Sequence, residues 1–569
     1  RGQDGAGIAT VKLNTEPGYP FFYRIRSNAQ QPIADLFERI GKELKEVESH
    51  IPDITNHPGL MKGNLPFMGE ILLGHLRYGT QGKNNIEFCH PFIKMNPVPA
   101  KNLALAGNFN LVNTEEIFQN IDMQPDAFQK QSDLAAMMEV LHSFLCQEDD
   151  LNPGKTDILS VLKKAVPLFD GGFHFSGVTG SGDSFVVRDA HGIRPSYYYF
   201  SNDIIVAASE RAAIRTAFNL EENEVKELMP GTALIVNADG KHSIEEIVPA
   251  KERKACSFER IYFSRGSDEK IYRERISLGY QLSHVVLNTI DYDLRNTIFS
   301  FIPNTAETAF YGLIKGAEDY LNKIKIERIM SWNKSYDEEK LTEMINRKIR
   351  IEKIAIKDVK LRTFITEDNS RNEMVQHVYD ITYGTVKKDT DTLVVIDDSI
   401  VRGTTLKESI IRMLGRLKPK RIIIVSSAPQ IRYPDCYGID MSKLGDFVAF
   451  KAAIALIKEN GMNSILEELK EKCREMQEKN DWQKENLVRK IYAPFTTEQI
   501  SSKIAQLITP EGFNIPVDVI YQSIESLHEA CPNNKGDWYF TGNYPTPGGN
   551  RVCNKALMNY LEGKNIRGY

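Results

Sequence analysis

Asp397 and Asp398 end an apolar run at 393–396, and the polar string SIVRGTT follows them directly. A strand that closes on two carboxylates and then turns into a helix presents acids and free backbone amides together. In open α/β sheets that place, at the carboxyl ends of the strands, is where ligands bind. Amides at a helix start bind phosphate. Gly403 lets the backbone approach closely, and Thr404 and Thr405 add hydroxyl donors. Adjacent carboxylates suit a ribose diol, or a hydrated magnesium ion. An isolated Asp-Asp pair is more often a solvated turn, but the full string VVIDDSIVRGTT asks for more than that. It is not a Walker loop, because no Gly-Lys-Ser/Thr follows.

A second set lies in the N-terminal half: RGQDGAGIAT at 1–10, GHLRYGTQG at 74–82, HPF from His90, GNFNLVN at 107–113, and Ser132 with Asp133. Singly, each has a plain structural reading. Arg77 reads as a surface ion pair, Asn108 as a turn residue and Asp133 as a helix cap.

The elements that must carry these residues are legible from spacing. Residues 31–50 place Ile33, Leu36, Phe37, Ile40 and Leu44 at helical spacing, and 132–146 open with a cap-like Ser and run helical. Strands dominate 171–245. Near 250 the basic and acidic stretch PAKERKACSFERIY reads as a seam, and a charged helical insert covers 313–350. The strand at 393–396, the helix face of Leu406, Ile410, Ile411, Leu414 and Leu417, and the strand at 421–426 form a βαβ unit, right-handed by default. Residues 445–509 read as charged helices, either solvated faces or contact surfaces.

Length and charge bound the rest. A chain of 569 residues implies two to four domains. The net charge of −5 gives no reason to expect nucleic-acid binding. No apolar run reaches the ~18–20 residues of a membrane span. Seven sparse cysteines without C-x-x-C spacing favour free thiols and a reducing cytoplasm.

Read in order, the N-terminal strings, with RDAHGIRP at 188–195 and VAASE at 206–210, resemble the class II glutamine amidotransferases. The 394–405 string resembles the PRPP-binding signature of type I phosphoribosyltransferases. Both halves, with CSFERIYFSR, FIPNTAETA, LRTFITEDNSR, IRYPDCYGIDM and YFTGNYPTP, resemble the glutamine phosphoribosylpyrophosphate amidotransferases. The resemblance implies an α/β plus α+β protein. A four-layer αββα N-terminal-nucleophile glutaminase domain is expected over 1–255. A type I phosphoribosyltransferase parallel-sheet domain follows over 256–445, and a C-terminal helical extension over 446–569.

The same resemblance implies residue roles. Arg77 would grip the glutamine α-carboxylate and Asp133 its α-amino group. Asn108 and the backbone amide of Phe109, where the family usually has Gly, would form the oxyanion hole. Asp397, Asp398, Ser399, Val401, Arg402, Gly403, Thr404 and Thr405 would hold PRPP, with Arg362 and Arg371 on a loop at 357–371 that folds over it. Thr305, Asp397 and Asp398 would face Mg2+. The family nucleophile is an N-terminal Cys upstream of the R-G-Q-D segment, so it is expected before Arg1. The iron–sulfur cysteines of some members fall on Cys256, Asp435, Gly536 and Tyr539, so no cluster is expected. Glutamine and PRPP are the expected substrates, purine nucleotides the feedback ligands, and a homodimer or homotetramer the assembly. The other readings are an inactive paralog and a PRPP-sensing regulator.

Overall fold

The structure is a computed structural model, described here over residues 4–16, 18–79, 85–121, 132–332, 337–357, 379–439, 441–564 and 566–568. The chain divides into two units. The first is Arg1–Ala255 with Asp435–Ser442 and Pro545–Val552; the second is Cys256–Pro434 with Lys443–Tyr544 and Cys553–Tyr569.

In the first unit, small and apolar residues let β1 (Gly5–Val11) lie between β2 (Phe22–Ser27) and β3 (Ile71–Arg77) in an antiparallel sheet. Beneath it runs a larger sheet. Its members in chain order are β4 (Phe92–Lys94), β5 (Leu103–Leu111), β6 (Gly171–Thr179) and β7 (Ser184–Arg188). A separate ribbon is formed by β8 (Tyr197–Phe200), β9 (Ile205–Ala208) and β10 (Lys226–Glu227). The strands β11 (Thr232–Val236) and β12 (His242–Glu246) complete the larger sheet, in the order β12-β11-β7-β6-β5-β4.

The two-residue period of a strand sends β5 side chains to two cores. Ala104 and Ala106 pack with Ala9, Val11, Leu73 and Val178 between the sheets. Leu103, Leu105 and Leu111 pack beneath the helices Asp133–Leu151 and Ile158–Ala165. The helix Pro32–His50 covers β1 and β2 on the outside, so the layers run helix, sheet, sheet, helix. Its expected apolar face is narrower than its spacing suggests. Leu36 is buried, but Phe37 is 61% exposed.

Two late segments belong to this unit. Asn110 Nδ2 donates to the Cys436 carbonyl at 3.0 Å and Arg194 Nε to the Tyr437 carbonyl at 2.7 Å. The Tyr437 and Thr546 hydroxyls are 3.0 Å apart.

In the second unit, strands lie parallel in the order β14-β13-β17-β18-β19: β13 (Thr297–Phe301), β14 (Arg350–Ile351), β17 (Thr392–Asp397), β18 (Arg421–Ser426) and β19 (Val517–Tyr521). Near-continuous apolar runs such as LVVI and IIIV are what a sheet covered on both faces requires. On one face Phe299, Val394, Ile396, Ile423 and Val425 meet the helices Glu269–Thr289 and Glu307–Ser331. Those helices cross closely because a Cβ on Gly279 would sit 1.7 Å from the Ala309 carbonyl oxygen. The expected insert at 313–350 takes in most of this second helix and a short one, Glu338–Asn346. The C-terminal stretch read as helical also contains β19, which five residues of the string VDVIY add to the sheet edge. The ribbon of β15 (Ala355–Lys357) and β16 (Tyr379–Ile381) is antiparallel. Arg362 and Arg371 lie outside the described residues.

Candidate active sites in the two units

In the second unit the sequence β17-turn-helix folds as its spacing requires. Asp397 closes β17, and a helix opens at 404, winding as a π-helix over Leu406–Ile411. Gly403 has φ +72°, and a Cβ there would meet Ile508 Cγ2 at 2.9 Å, so both conformation and space demand glycine. The Val401 carbonyl accepts from the Val448 amide at 2.9 Å, which pins the loop to the next helix, Val448–Glu459. Among the described residues, the amides of 400–405 have no protein acceptor. Six consecutive amides without an acceptor among the described residues, at a strand-to-helix turn, are available to an anion such as phosphate.

The acids stand at the rim of this loop. The Asp398 amide donates to Asp397 Oδ1 at 2.9 Å, and the Ser399 hydroxyl to Asp398 Oδ1 at 3.1 Å. The Thr305 hydroxyl also bonds Asp398, which brings the β13 loop to the same acid. Burial pushes the Asp398 carboxyl up to about 6, against the opposing pull of Ser399, Arg275 and Thr305. Asp397 is also pushed well up, by burial and then by the charge of Asp398. Arg275 was not singled out from the sequence. It is buried, and its guanidinium donates to the carbonyls of Arg260 at 2.8 Å, Tyr262 at 3.2 Å and Ser264 at 2.8 Å, while its charge favours ionised Asp398. Arg402 points outward to an ion pair with Asp446 at 3.2 Å.

Two carboxylates and a hydroxyl, all hard oxygen donors, fit a Mg2+ ion that takes its other ligands from water and substrate phosphates. Among the described residues no group of three or more His, Cys, Asp or Glu side chains could hold a metal alone.

In the first unit the site forms along one edge of β5. Asp189 claims the amide and the carbonyl of Phe173, so these face β7. Alternation then turns His174 toward its cross-strand partner Asn108. It turns the amides of Gly107, Phe109 and Leu111 the other way, past the end of β4, which pairs only with 103–105. The Gly107 amide donates to His90 Nδ1 at 3.4 Å. The Leu111 amide donates to Asp133 Oδ2 at 3.0 Å. Between them the Phe109 amide has no acceptor among the described residues.

Phe109 needs no left-handed backbone, since it lies within β5 and its φ is not positive. The replacement of Gly therefore keeps the donor. Its ring stacks on His90 at 5.9 Å and 11°. Asp133 opens its helix behind the Ser132 cap, whose hydroxyl accepts from the Ala135 amide at 3.3 Å. Arg77 is buried at the end of β3 with its guanidinium 6.0 Å from the Phe88 ring, and it bonds the Cys89 thiol. Asn108 is exposed, with its side chain on the face opposite to Phe109. The β5 edge thus brings together His90, Phe109 and Asp133, while Arg77 stands beside Phe88 and Cys89 at the end of β3 and the Asn108 side chain lies on the other face of β5.

Two of the strings quoted from the sequence, GHLRYGTQG and HPF, hold His75 and His90, but no role for the histidines is read from them. His75 and His90 lie with ring centroids 4.3 Å apart, and His174 is buried with neither ring nitrogen bonded among the described residues. Burial lowers His75 to about 4 and His174 to about 4, and holds His90 well below its usual range. All three are neutral near pH 7, so none competes with Arg77 for an anion. A consequence follows for acid stability. As pH falls below the unfolded value of ~6.5, the unfolded chain takes protons that the folded chain refuses, so stability is lost. Asp189, pushed up by burial, works in the opposite sense, because its folded-state carboxyl takes a proton more readily than the unfolded one. With three buried histidines against one carboxyl, the expected net effect is a loss of stability as pH falls from 6.5 to 5. Hydrogen exchange at β5 and β6, corrected for intrinsic rates, measures it; an opening free energy that is flat from pH 6.5 to 5 contradicts it.

The glutaminase half is independently matched by the profile of a glutamine amidotransferase domain over residues 90–216. The amidophosphoribosyltransferase of Pseudomonas aeruginosa is 27% identical over 399 residues, covering 67% of this chain and 70% of that protein. That of Lachancea kluyveri is 25% identical over 570 residues, covering 96% of this chain and 87% of that protein. Over most of its length the chain is similar to amidophosphoribosyltransferases. The same fold appears in the glutamine PRPP amidotransferase of B. subtilis, solved with ADP and GMP, at a TM-score of 0.61 and 22% identity over 96% of this chain and 91% of that one. The similarity spans both units, and so both of the edges just described. Among the described residues no helix is long and apolar enough to cross a membrane.

Proposed function

We propose that this protein transfers the amide nitrogen of glutamine to PRPP, giving 5-phosphoribosylamine, glutamate and pyrophosphate, the first step of de novo purine synthesis. The observation that carries this reading is the loop at 397–405, where two acids are followed by six amides without an acceptor among the described residues, in a chain that also matches a glutamine amidotransferase domain.

At the first site Arg77 takes the glutamine α-carboxylate by a bidentate fork, and Asp133 takes its α-amino group. The nucleophile is a family N-terminal Cys attacking the side-chain amide. The developing oxyanion is met by the Asn108 amide group and the Phe109 N–H. Ammonia then leaves toward the second site. Free ammonia at neutral pH is mostly ammonium, which has no lone pair, so the reading requires transfer out of bulk water.

At the second site the amides of 400–405, with the Ser399, Thr404 and Thr405 hydroxyls, hold the 5-phosphate. Asp397 and Asp398 accept from the ribose hydroxyls. Bound Mg2+ would neutralise charge on the departing diphosphate. As that bond lengthens, C1 becomes oxocarbenium-like and ammonia attacks it. The chain contributes placement and a dry, charged surround.

Iron has no part in this reading. Cys256 Sγ is 3.0 Å from the Tyr539 hydroxyl, and the Gly536 carbonyl accepts from the Ser257 amide and hydroxyl. The Asp435 carboxylate accepts from the Tyr437 and Ile439 amides at 3.1 and 2.6 Å. These groups are spent on protein partners and offer one thiol where a cluster needs four. Protein purified without oxygen is expected to be colourless and iron-free; a brown absorbance with stoichiometric iron would refute this.

Regulation by purine nucleotides belongs to the same proposal, supported by the B. subtilis protein's complex with ADP and GMP, and assembly as a homodimer or homotetramer is proposed with it. A cytoplasmic location is supported by the seven cysteines, none of which is joined in a disulfide among the described residues. The test is a coupled assay of the whole natural chain with glutamine, PRPP and Mg2+. Stoichiometric glutamate and pyrophosphate are expected. PRPP binding without turnover, from glutamine or from ammonia, would instead identify a sensor or an inactive paralog.

A further inference from the structure

Tyr521 is the last residue of β19, and its hydroxyl is buried with no hydrogen-bond partner among the described residues. A buried hydroxyl left unpaired costs roughly 1–3 kcal/mol, so its position calls for a reason. The register supplies one. Asp397 pairs with Ser426 across β17 and β18, and Ser426 pairs with Tyr521 across β18 and β19. In-register residues of parallel strands project from the same face, so Asp397, Ser426 and Tyr521 form one row at the carboxyl end of the sheet. Their backbones span about 10 Å at strand spacing.

Ser426, between them, is turned away. Its hydroxyl donates to the Ala428 carbonyl at 2.9 Å. Asp397 has only its neighbour's amide on Oδ1, and Oδ2 has no partner among the described residues. The row therefore ends in an unspent donor on one side and an under-supplied carboxylate on the other. The phenol is close enough to Asp397 to feel its charge, and burial with that charge holds it protonated, hence a donor at any working pH. On the far flank, Thr305 and Ser399 already serve Asp398. Asp397 is the acid without such support.

We propose that Tyr521 is a positioning residue for the sugar site: its phenol donates to Asp397 across the gap above Ser426, directly or through one water, and fixes the carboxylate for the ribose hydroxyls. The inference rests on the PRPP reading of this loop. It adds a residue from the last strand of the sheet, more than a hundred positions beyond the acid pair, to a site otherwise built by β13 and β17.

The experiment is PRPP binding with Mg2+, by calorimetry, on wild type, Tyr521→Phe, Asp397→Asn and the double variant. Tyr521→Phe removes one hydroxyl and keeps the ring, and is expected to weaken binding about tenfold, the scale of one hydrogen bond to a charged acceptor. In the Asp397→Asn background the same change is expected to weaken it less than twofold, a non-additivity that loose packing would not produce. Tyr521→His, which keeps a donor, should hold affinity within threefold of wild type. The glutamine KM of the hydrolysis reaction should be the same in wild type and Tyr521→Phe. Affinity unchanged in Tyr521→Phe, or an equal loss in both backgrounds, overturns the proposal while the PRPP reading stands. A wild-type protein that does not bind PRPP sinks the reading itself.

Discussion

Replacing Asp398 by Asn is expected to lower PRPP-dependent turnover about a thousandfold, with ammonia or with glutamine as nitrogen donor. The acid is proposed to accept two ribose hydroxyl bonds, and bonds to an ionised acceptor are worth roughly 1.5–3 kcal/mol each, so the loss compounds to that order. The substitution is nearly isosteric. Ser399 and Thr305, whose hydroxyls now reach the carboxylate, still find an amide oxygen. Arg275 remains bonded to three carbonyls of the 260–264 turn and stays in place. The strand behind the acid is fully buried and unaffected, with Leu393, Val394, Val395 and Ile396 each at 0% exposure. A collapse of the fold is therefore not the route to lost activity. Initial rates with saturating ammonium and varied PRPP, alongside a thermal melt, decide the matter. Turnover within threefold of wild type would show that the loop holds something other than the sugar.

How much of this was legible in the sequence follows from the range of the interactions involved. The acid pair, the glycine turn and the helix after it are contiguous, and local chemistry fixed them: Gly403 sits at the positive φ that its loop demands. The strands at 393–396 and 421–426 were readable because a two-sided buried strand is a continuous apolar run. β19 escaped because VDVIY is short, carries an Asp and lies among long charged helices; only its partner β18, almost a hundred residues earlier, makes it a strand. Arg275 escaped for a related reason. Buried arginines declare themselves through carbonyls that accept from them, and sequence does not print carbonyl directions. The same holds for His90. Its use depends on the phase of β5 hydrogen bonding, which is set by Asp189 two strands away taking both polar groups of Phe173. Conversely, Ile33 and Phe37 kept helical spacing yet lie 38% and 61% exposed, because spacing gives a face and not what covers it.

The oxyanion edge makes the second large prediction. Asn108→Ala in the whole natural chain should reduce kcat for glutamine hydrolysis by about 10²–10³-fold and change the glutamine KM only a few-fold, the signature of a donor that acts on charge appearing in the transition state. The geometry separates this from damage to the sheet. Asn108 is exposed, so its truncation opens no cavity. Its backbone still pairs with His174, and the flanking amides of Gly107 and Leu111 remain committed to His90 and Asp133. The Phe109 amide is therefore held in place as the surviving donor, and a residual rate above that in water is expected from it. Ammonia-dependent synthesis, which bypasses the edge, should be unchanged. If Asn108→Ala instead raises KM with kcat intact, the side chain binds ground-state glutamine and the oxyanion rests on the Phe109 amide alone. If ammonia-dependent synthesis falls with it, the effect is on the protein as a whole. The comparison turns on one feature of β5: three alternate amides along an open edge, the outer two claimed by side chains and the middle one left to the reaction.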